Sequence, residues 1–219
     1  MSTTPIRIPA GPVTLEGFLG LPEGERGLVL FAHGSGSGRY SPRNSQVATG
    51  LREGGIGTVL LDLLTEEEAA DRGKVFDIEL LARRLLAATD WAAADPRTAD
   101  LRVGYFGAST GAAAALVAAA ERGERIGAVV SRGGRPDLAG DALGRVTAPT
   151  LLIVGGADVP VIPLNESAFA ALRCEKELTI VPGAGHLFEE PGTLEEVTKA
   201  ARAWFRRYLG EATQAGSEG

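Results

Sequence analysis

The sequence predicts an α/β fold, a mostly parallel sheet with helices packed on both faces. Runs such as Gly27–Ala32 and Gly57–Asp62 have the length and unbroken apolar character of strands buried on both sides. They alternate with segments of helical periodicity, the pattern of successive strand–helix–strand units. No repeat or low-complexity linker divides the chain, so residues 1–210 are expected to form one domain.

Taken in order, residues 5–21 alternate loosely around Ala10-Gly11-Pro12 and predict a leading antiparallel hairpin. The strand over 27–32 runs into His33-Gly34-Ser35-Gly36-Ser37-Gly38-Arg39-Tyr40, a loop too glycine-rich to be helical. A helix is predicted over 42–52, a strand over 57–62 and an acidic excursion over 65–72. A long amphipathic helix follows over 76–93, with Leu80, Leu81, Leu85 and Leu86 at helical spacing and Arg83 and Arg84 facing water. Strands are expected over 101–106, 126–131, 149–154 and 177–181. Helices are expected from Thr110 to about Glu121, over 165–172, and over 193–209, the last burying Val197, Ala201, Trp204 and Phe205. The polar stretch 211–219 is expected to be a disordered tail.

Composition removes several functional classes. A net charge of -6 argues against a nucleic-acid surface. No run of about twenty apolar residues occurs, so no membrane span is expected, and the N-terminus lacks the apolar core of a signal peptide. The single Cys174 cannot pair internally, fits a reducing cytoplasm and reads as a structural thiol rather than a nucleophile. With only His33 and His186, a histidine-rich metal centre is not expected.

Gly107-Ala108-Ser109-Thr110-Gly111 lies between a predicted strand and an alanine-rich helix. Gly-x-Ser-x-Gly in that setting is the pattern of a nucleophile elbow, a sharp turn that thrusts the serine hydroxyl above the sheet. A side chain at Gly107 or Gly111 would collide with the neighbouring strand or the packed helix. The plain alternative is a turn whose serine only caps the helix. In a parallel sheet functional residues gather at the carboxyl ends of strands, where Ser35, Ser109, Asp158 and His186 all fall. A serine hydroxyl needs a base to take its proton and an acid to hold that base in the right tautomer. His186 and Asp158 fit those roles, whereas Asp62 and Asp137 end earlier strands, and Glu189 and Glu190 crowd the histidine in sequence. The alternatives are an exposed loop for His186 and a turn residue for Asp158. Thr110 at the helix start and Ser35 in the early loop are the expected oxyanion donors, with Gly36 as the alternate against the substrate. His33 reads as structural, its ring tying the loop to backbone.

On His33-Gly34-Ser35-Gly36, Gly107-Ala108-Ser109-Thr110-Gly111, Gly156-Ala157-Asp158 and Gly185-His186, the chain resembles the α/β-hydrolase superfamily, and within it the dienelactone hydrolase-like group of small esterases. The resemblance covers about residues 17–209. It implies an eight-stranded α/β-hydrolase fold and hydrolysis of small esters or lactones through an acyl-enzyme, with no metal or organic cofactor. Hydrolases of dienelactone itself carry a cysteine where this chain has Ser109, and a glutamate in the oxyanion-side loop that this chain lacks. The substrate expected here is therefore a small ester or lactone attacked by serine. A thioesterase or amidase would keep the same residues, and a ligand-binding protein on a hydrolase scaffold would need none of them.

The connection from residue 131 to 149 is too short for a large helical lid, which predicts an open site. Arg39 and Arg43 follow the oxyanion loop, and Arg132 and Arg135 follow the strand after the elbow. Arg39 or Arg132 could hold a substrate carboxylate in a bidentate pair. Otherwise these arginines pair with local acids such as Asp137 or face solvent.

Overall fold

The computed structural model describes residues 2–210. The leading hairpin, β1 (Thr4–Ala10) and β2 (Val13–Gly20), turns at Gly11, whose φ of 69° suits glycine. Its pairing Ile8↔Leu15 and Ile6↔Gly17 puts Ile6, Ile8 and Leu15 on one buried face. Six more strands follow: β3 (Leu28–Ala32), β4 (Gly57–Leu61), β5 (Val103–Ala108), β6 (Ile126–Arg132), β7 (Thr150–Gly155) and β8 (Lys176–Val181). The eight form one sheet in the order β1-β2-β4-β3-β5-β6-β7-β8, parallel from β4 through β8. Every residue of β3 to β7 is buried, as continuous apolar runs require when both sheet faces are covered.

Helices α1 (Pro42–Glu53) and α7 (Thr193–Leu209) cover one face, bringing Val47, Leu51, Val197, Ala201, Trp204 and Phe205 against Phe31 and Phe106. Those two rings pair across β3 and β5 with centroids 4.9 Å apart. Helices α4 (Ile78–Ala94), α5 (Thr110–Arg122) and α6 (Ile162–Ala171) cover the other face. The hairpin, most strands and α7 lie where the sequence places them, β5 runs two residues later than expected, to Ala108, and α4 starts at Ile78 because the Asp77 carboxylate caps the Leu80 N–H. The connection from β6 to β7 holds two short 3-10 turns over Pro136–Arg145, separated by a kink at Gly140 with φ 53°. Its Ala139, Ala142 and Leu143 sink into the core instead of roofing the sheet edge. No described helix is long and apolar enough to cross a membrane, and the tail expected over 211–219 lies outside the described residues.

Two features depart from the sequence reading. The acidic excursion contains two single-turn helices, α2 (Glu66–Ala69) and α3 (Arg72–Val75). A capping box starts the first: Thr65 Oγ1 accepts the Glu68 N–H, and the Glu68 carboxylate accepts the Thr65 N–H. Arg84, expected to face water beside Arg83, is instead buried. Position 84 shares the helical stripe of Leu81, Leu85 and Ala88, so its stem packs inward. Its head donates to the Ala10 carbonyl and pairs with Glu68 at 2.9 Å, tying α4 to the hairpin and to α2.

Removing one member of such a pair leaves the other charge buried and uncompensated. Glu68→Ala is therefore expected to lower unfolding free energy by about 3–5 kcal/mol. Glu68→Ala with Arg84→Met should recover most of that loss in urea titrations. Equal losses in the single and double variants would show that the ion pair is not the cause.

Candidate active site

The elbow forms where β5 meets α5. Ser109 has φ 51° and ψ −125°, a region that non-glycine residues enter only under constraint. Close packing supplies the constraint. A Cβ at Gly107 would sit 2.4 Å from the Ala112 Cα, and one at Gly111 would sit 2.1 Å from the Ala32 carbonyl oxygen. The Ser109 carbonyl accepts N–H bonds from Ala112 at 3.1 Å and Arg135 at 3.0 Å, which hold the turn from both sides. Its side chain makes no capping bond to α5. The Ser109 side chain therefore does not cap the helix it precedes, and the residue stays partly exposed.

The loop after β3 abuts that hydroxyl. A Cβ at Gly34 would lie 2.7 Å from the Ser109 Cβ, so only glycine lets the two segments meet. Ser35 and Gly36 follow at the surface, and Thr110 is buried at the first turn of α5. Neither the Ser35 nor the Thr110 N–H has a protein partner among the described residues. His33 braces the loop from beneath: its Nε2 accepts the Leu63 N–H at 2.9 Å, which leaves Nδ1–H to donate to the Gly34 carbonyl at 2.9 Å. The main-chain donor fixes a neutral tautomer, and burial pushes the His33 pKa below its ordinary value.

A pH dependence of stability follows. The unfolded chain protonates His33 below about pH 6.5 while the folded chain resists. Stability is thus complete above that pH and falls as pH drops toward the depressed folded value. Between pH 7.5 and 5.5 the unfolding midpoint of the wild type should drop more steeply than that of His33→Gln, since groups common to both cancel in the difference. Parallel slopes would mean that His33 is protonated in the folded protein.

At the ends of β7 and β8 the structure brings Asp158 and His186 together, His186 Nδ1 lying 2.7 Å from Asp158 Oδ2. The carboxylate is nearly buried, while the imidazole is 40% exposed, so the ring is anchored on one edge and free on the other. The other acids are engaged elsewhere: Asp62 with Arg39, Asp137 with Arg135, Glu189 with Arg43, and Glu190 with the Gly185 N–H. That last bond holds the Glu190 carboxyl below the usual carboxylate range.

Three residues to which the sequence reading gave no role at the site hold the histidine loop. Phe188 is fully buried at φ 56°, a rare state for a bulky residue. Gly133, at φ 51°, comes so close that a Cβ there would lie 2.8 Å from the His186 carbonyl oxygen and 3.3 Å from the Phe188 ring. Glu190 clamps the loop at Gly185. Nothing local in sequence marks a phenylalanine for positive φ, whereas Arg132-Gly133-Gly134 does signal a special turn. This turn links both halves of the site, with Gly133 under His186 and the Arg135 N–H on Ser109.

The arginines are placed as follows. Arg39 lies between Asp62 and Glu16, the latter at 2.5 Å. Arg43 pairs with Glu189, and Arg135 pairs with Asp137. Arg132 is buried, with its Nη2 donating to Asn44 Oδ1 at 3.0 Å, and burial lowers its pKa to about 10. Cys174 lies away from the site against Thr150, its thiol pKa raised by burial, as an inert thiol requires.

Residues 65–210, well over half of the chain, match the dienelactone hydrolase family. The chain belongs to that family. A dienelactone hydrolase of Anabaena variabilis is 57% identical, with a TM-score of 0.92 over 95% of this chain and 98% of its own. Est1E of Butyrivibrio proteoclasticus, 17% identical, shares the fold at a TM-score of 0.80 over 94% and 99% of the two chains. A Mycobacterium tuberculosis protein provisionally named a phosphoribosyl transferase is 60% identical over 204 residues, which are 93% of this chain and 46% of that one. The chain thus spans about half the length of the curated relatives it matches. Its family and fold are those of esterase-type hydrolases.

Proposed function

We propose that the chain is a serine carboxylic-ester hydrolase that cleaves small esters or lactones through an acyl-enzyme at Ser109. The observation that carries this reading is the strained Ser109 at the head of α5, which the Ser109 side chain does not cap. The Thr110 N–H and the helix dipole are left for a developing oxyanion, and Gly34 presses the Ser35 loop against the same serine. With Nδ1–H donating to Asp158, His186 keeps its Nε2 lone pair free to take the Ser109 proton. Ser109 Oγ then bonds to the acyl carbon, and the Ser35 and Thr110 amides hold the oxyanion. His186 returns the proton to the leaving alcohol, then activates the water that releases the acid. These steps use protein groups and water alone. In this reading Arg39 shapes the pocket wall, Gly36 lines the substrate and Arg132 supports the turn beneath His186. The provisional transferase name belongs to a relative of which this chain spans less than half, and the elbow supports acyl chemistry for the shared part.

The buried 3-10 segment leaves the sheet edge unroofed, so soluble esters of short acids should be preferred. A panel of acetate, butyrate and long-chain esters, with matching thioesters and amides, tests this reading. Turnover highest on short oxygen esters is expected. Dominant thioester or amide turnover would move the assignment to those classes, and faster cleavage of emulsified long-chain esters would show a covered site.

A further inference from the structure

Two cavities open along the loop that carries Ser35. The smaller, about 140 Å³, is walled by Gly34, Ser35 and Gly36 on one side and by Leu64, Val75 and Leu81 on the other. Gly34, which lines it, packs directly against Ser109, so the cavity lies on the far side of the loop segment that touches the serine. The larger, about 600 Å³, shares His33, Ser37, Leu64 and Ala69 with the smaller and runs outward to Glu16, Tyr40, Asp62 and Glu66. From the Ser35 loop outward the lining is thus apolar at first and rich in hydrogen-bond acceptors beyond.

We propose that the larger cavity takes the alcohol half of the substrate, and that this alcohol is an uncharged polyol of the sugar or sugar-alcohol class whose hydroxyls donate to Glu66 and Glu16. The proposal rests on Ser109 being the nucleophile. A ligand carboxylate does not suit the cavity, because three carboxylates face it against the single guanidinium of Arg39. That guanidinium is already spent. The Arg39 N–H donates to Asp62 Oδ1 at 2.6 Å, Nη1 to Asp62 Oδ2, and Nη2 to Glu16 Oε2 at 2.5 Å. The loop is built for this arrangement, since a Cβ at Gly38 would lie 2.4 Å from Asp62 Oδ1. A ligand cation stacked on the rim aromatics would meet the like charge of Arg39, which itself lies 4.6 Å over the Tyr40 ring and 5.9 Å over that of Phe18. A plain alkyl group would desolvate carboxylates without offering them a donor.

What remains are unused acceptors and one exposed ring. Glu66 has no hydrogen-bonding or ion-pair partner among the described residues, and Glu16 keeps its second oxygen free. Each carboxylate has about four lone-pair sites to offer hydroxyl donors. Tyr40 is 70% exposed at the cavity rim and provides an apolar surface for the C–H face of a sugar. A polyol combines both requirements, a ring of O–H donors and a C–H face.

The test compares a pentose monoacetate, pentyl acetate, acetylcholine and an acetylated 2-hydroxy acid, together with binding of the free pentose to Ser109→Ala by saturation-transfer NMR. The expected result is kcat/KM about tenfold or more higher for the pentose ester than for pentyl acetate, with the anionic ester poorest. Glu66→Ala should raise KM about tenfold more for the pentose ester than for pentyl acetate, and weaken pentose binding in the Ser109→Ala background. Normal turnover of pentyl acetate with no pentose preference and no pentose binding would overturn the polyol pocket and leave Ser109 standing. A preference for acetylcholine would also overturn it. Pentose binding that depends on Glu66, in a protein that turns over no ester, would keep the pocket and overturn the role of Ser109.

Discussion

Ser109→Ala is expected to abolish ester hydrolysis, with a loss of about 10³-fold or more, while the fold survives. The substitution removes only Oγ. That atom makes no hydrogen bond among the described residues, so its loss leaves no buried partner unsatisfied. Alanine keeps the Cβ that packs against Gly34, and it faces the same positive φ that serine already tolerates there. The tight fit at Gly107 and Gly111 holds the turn in either case. Residual activity would come from the Thr110 and Ser35 amides and from substrate positioning. A fluorophosphonate should add its phosphonyl mass to the wild type and not to the variant, with unfolding midpoints close to each other. Near-normal turnover by Ser109→Ala would remove Ser109 from the chemistry.

Much of the architecture was legible because it is written in local patterns. The unbroken apolar runs of β3 to β7 state directly that both sheet faces are covered, and the loose alternation of residues 5–21 states that the hairpin is covered on one. Gly-x-Ser-x-Gly was informative because both glycines sit where the Ala32 carbonyl and the Ala112 backbone leave no room. What escaped depends on partners far away in sequence. Helical periodicity puts the Arg84 stem on the buried stripe, but its partners Glu68, sixteen positions away, and Ala10, seventy-four away, are set by the fold alone. Phe188 reaches positive φ because Gly133 and the core fix its ring, a tertiary cause with no local sign. The helix α2 was the avoidable omission, since Thr65 and Glu68 spell a capping box. Arg39 shows the reverse limit. Its place after the oxyanion loop suggested a substrate carboxylate, but Asp62 and Glu16 come from strands whose pairing only the fold reveals.

Asp158→Asn is expected to lower kcat by about 10⁴-fold with the protein still folded. The carboxylate lies 2.7 Å from His186 Nδ1 and is nearly buried; in the proposed reaction it fixes the imidazole tautomer and stabilises the imidazolium formed during attack. Asparagine keeps the shape but can turn its NH₂ toward Nδ1. The ring proton then moves to Nε2, the nitrogen that takes the Ser109 proton in the proposed reaction, and blocks that abstraction. Because the change acts on the transferred proton, KM should shift little while kcat falls. Nitrogen-15 spectra of the imidazole should report the exchange of tautomer directly, which simple loosening of the loop would not produce. Asp137→Asn is the matched control. Asp137 accepts from Arg135 at 2.9 and 2.7 Å, so its neutralisation should cost little activity. A large loss in Asp137→Asn together with unchanged kinetics in Asp158→Asn would transfer the acid's role to Asp137, and it would require the 132–137 turn to rearrange when substrate binds.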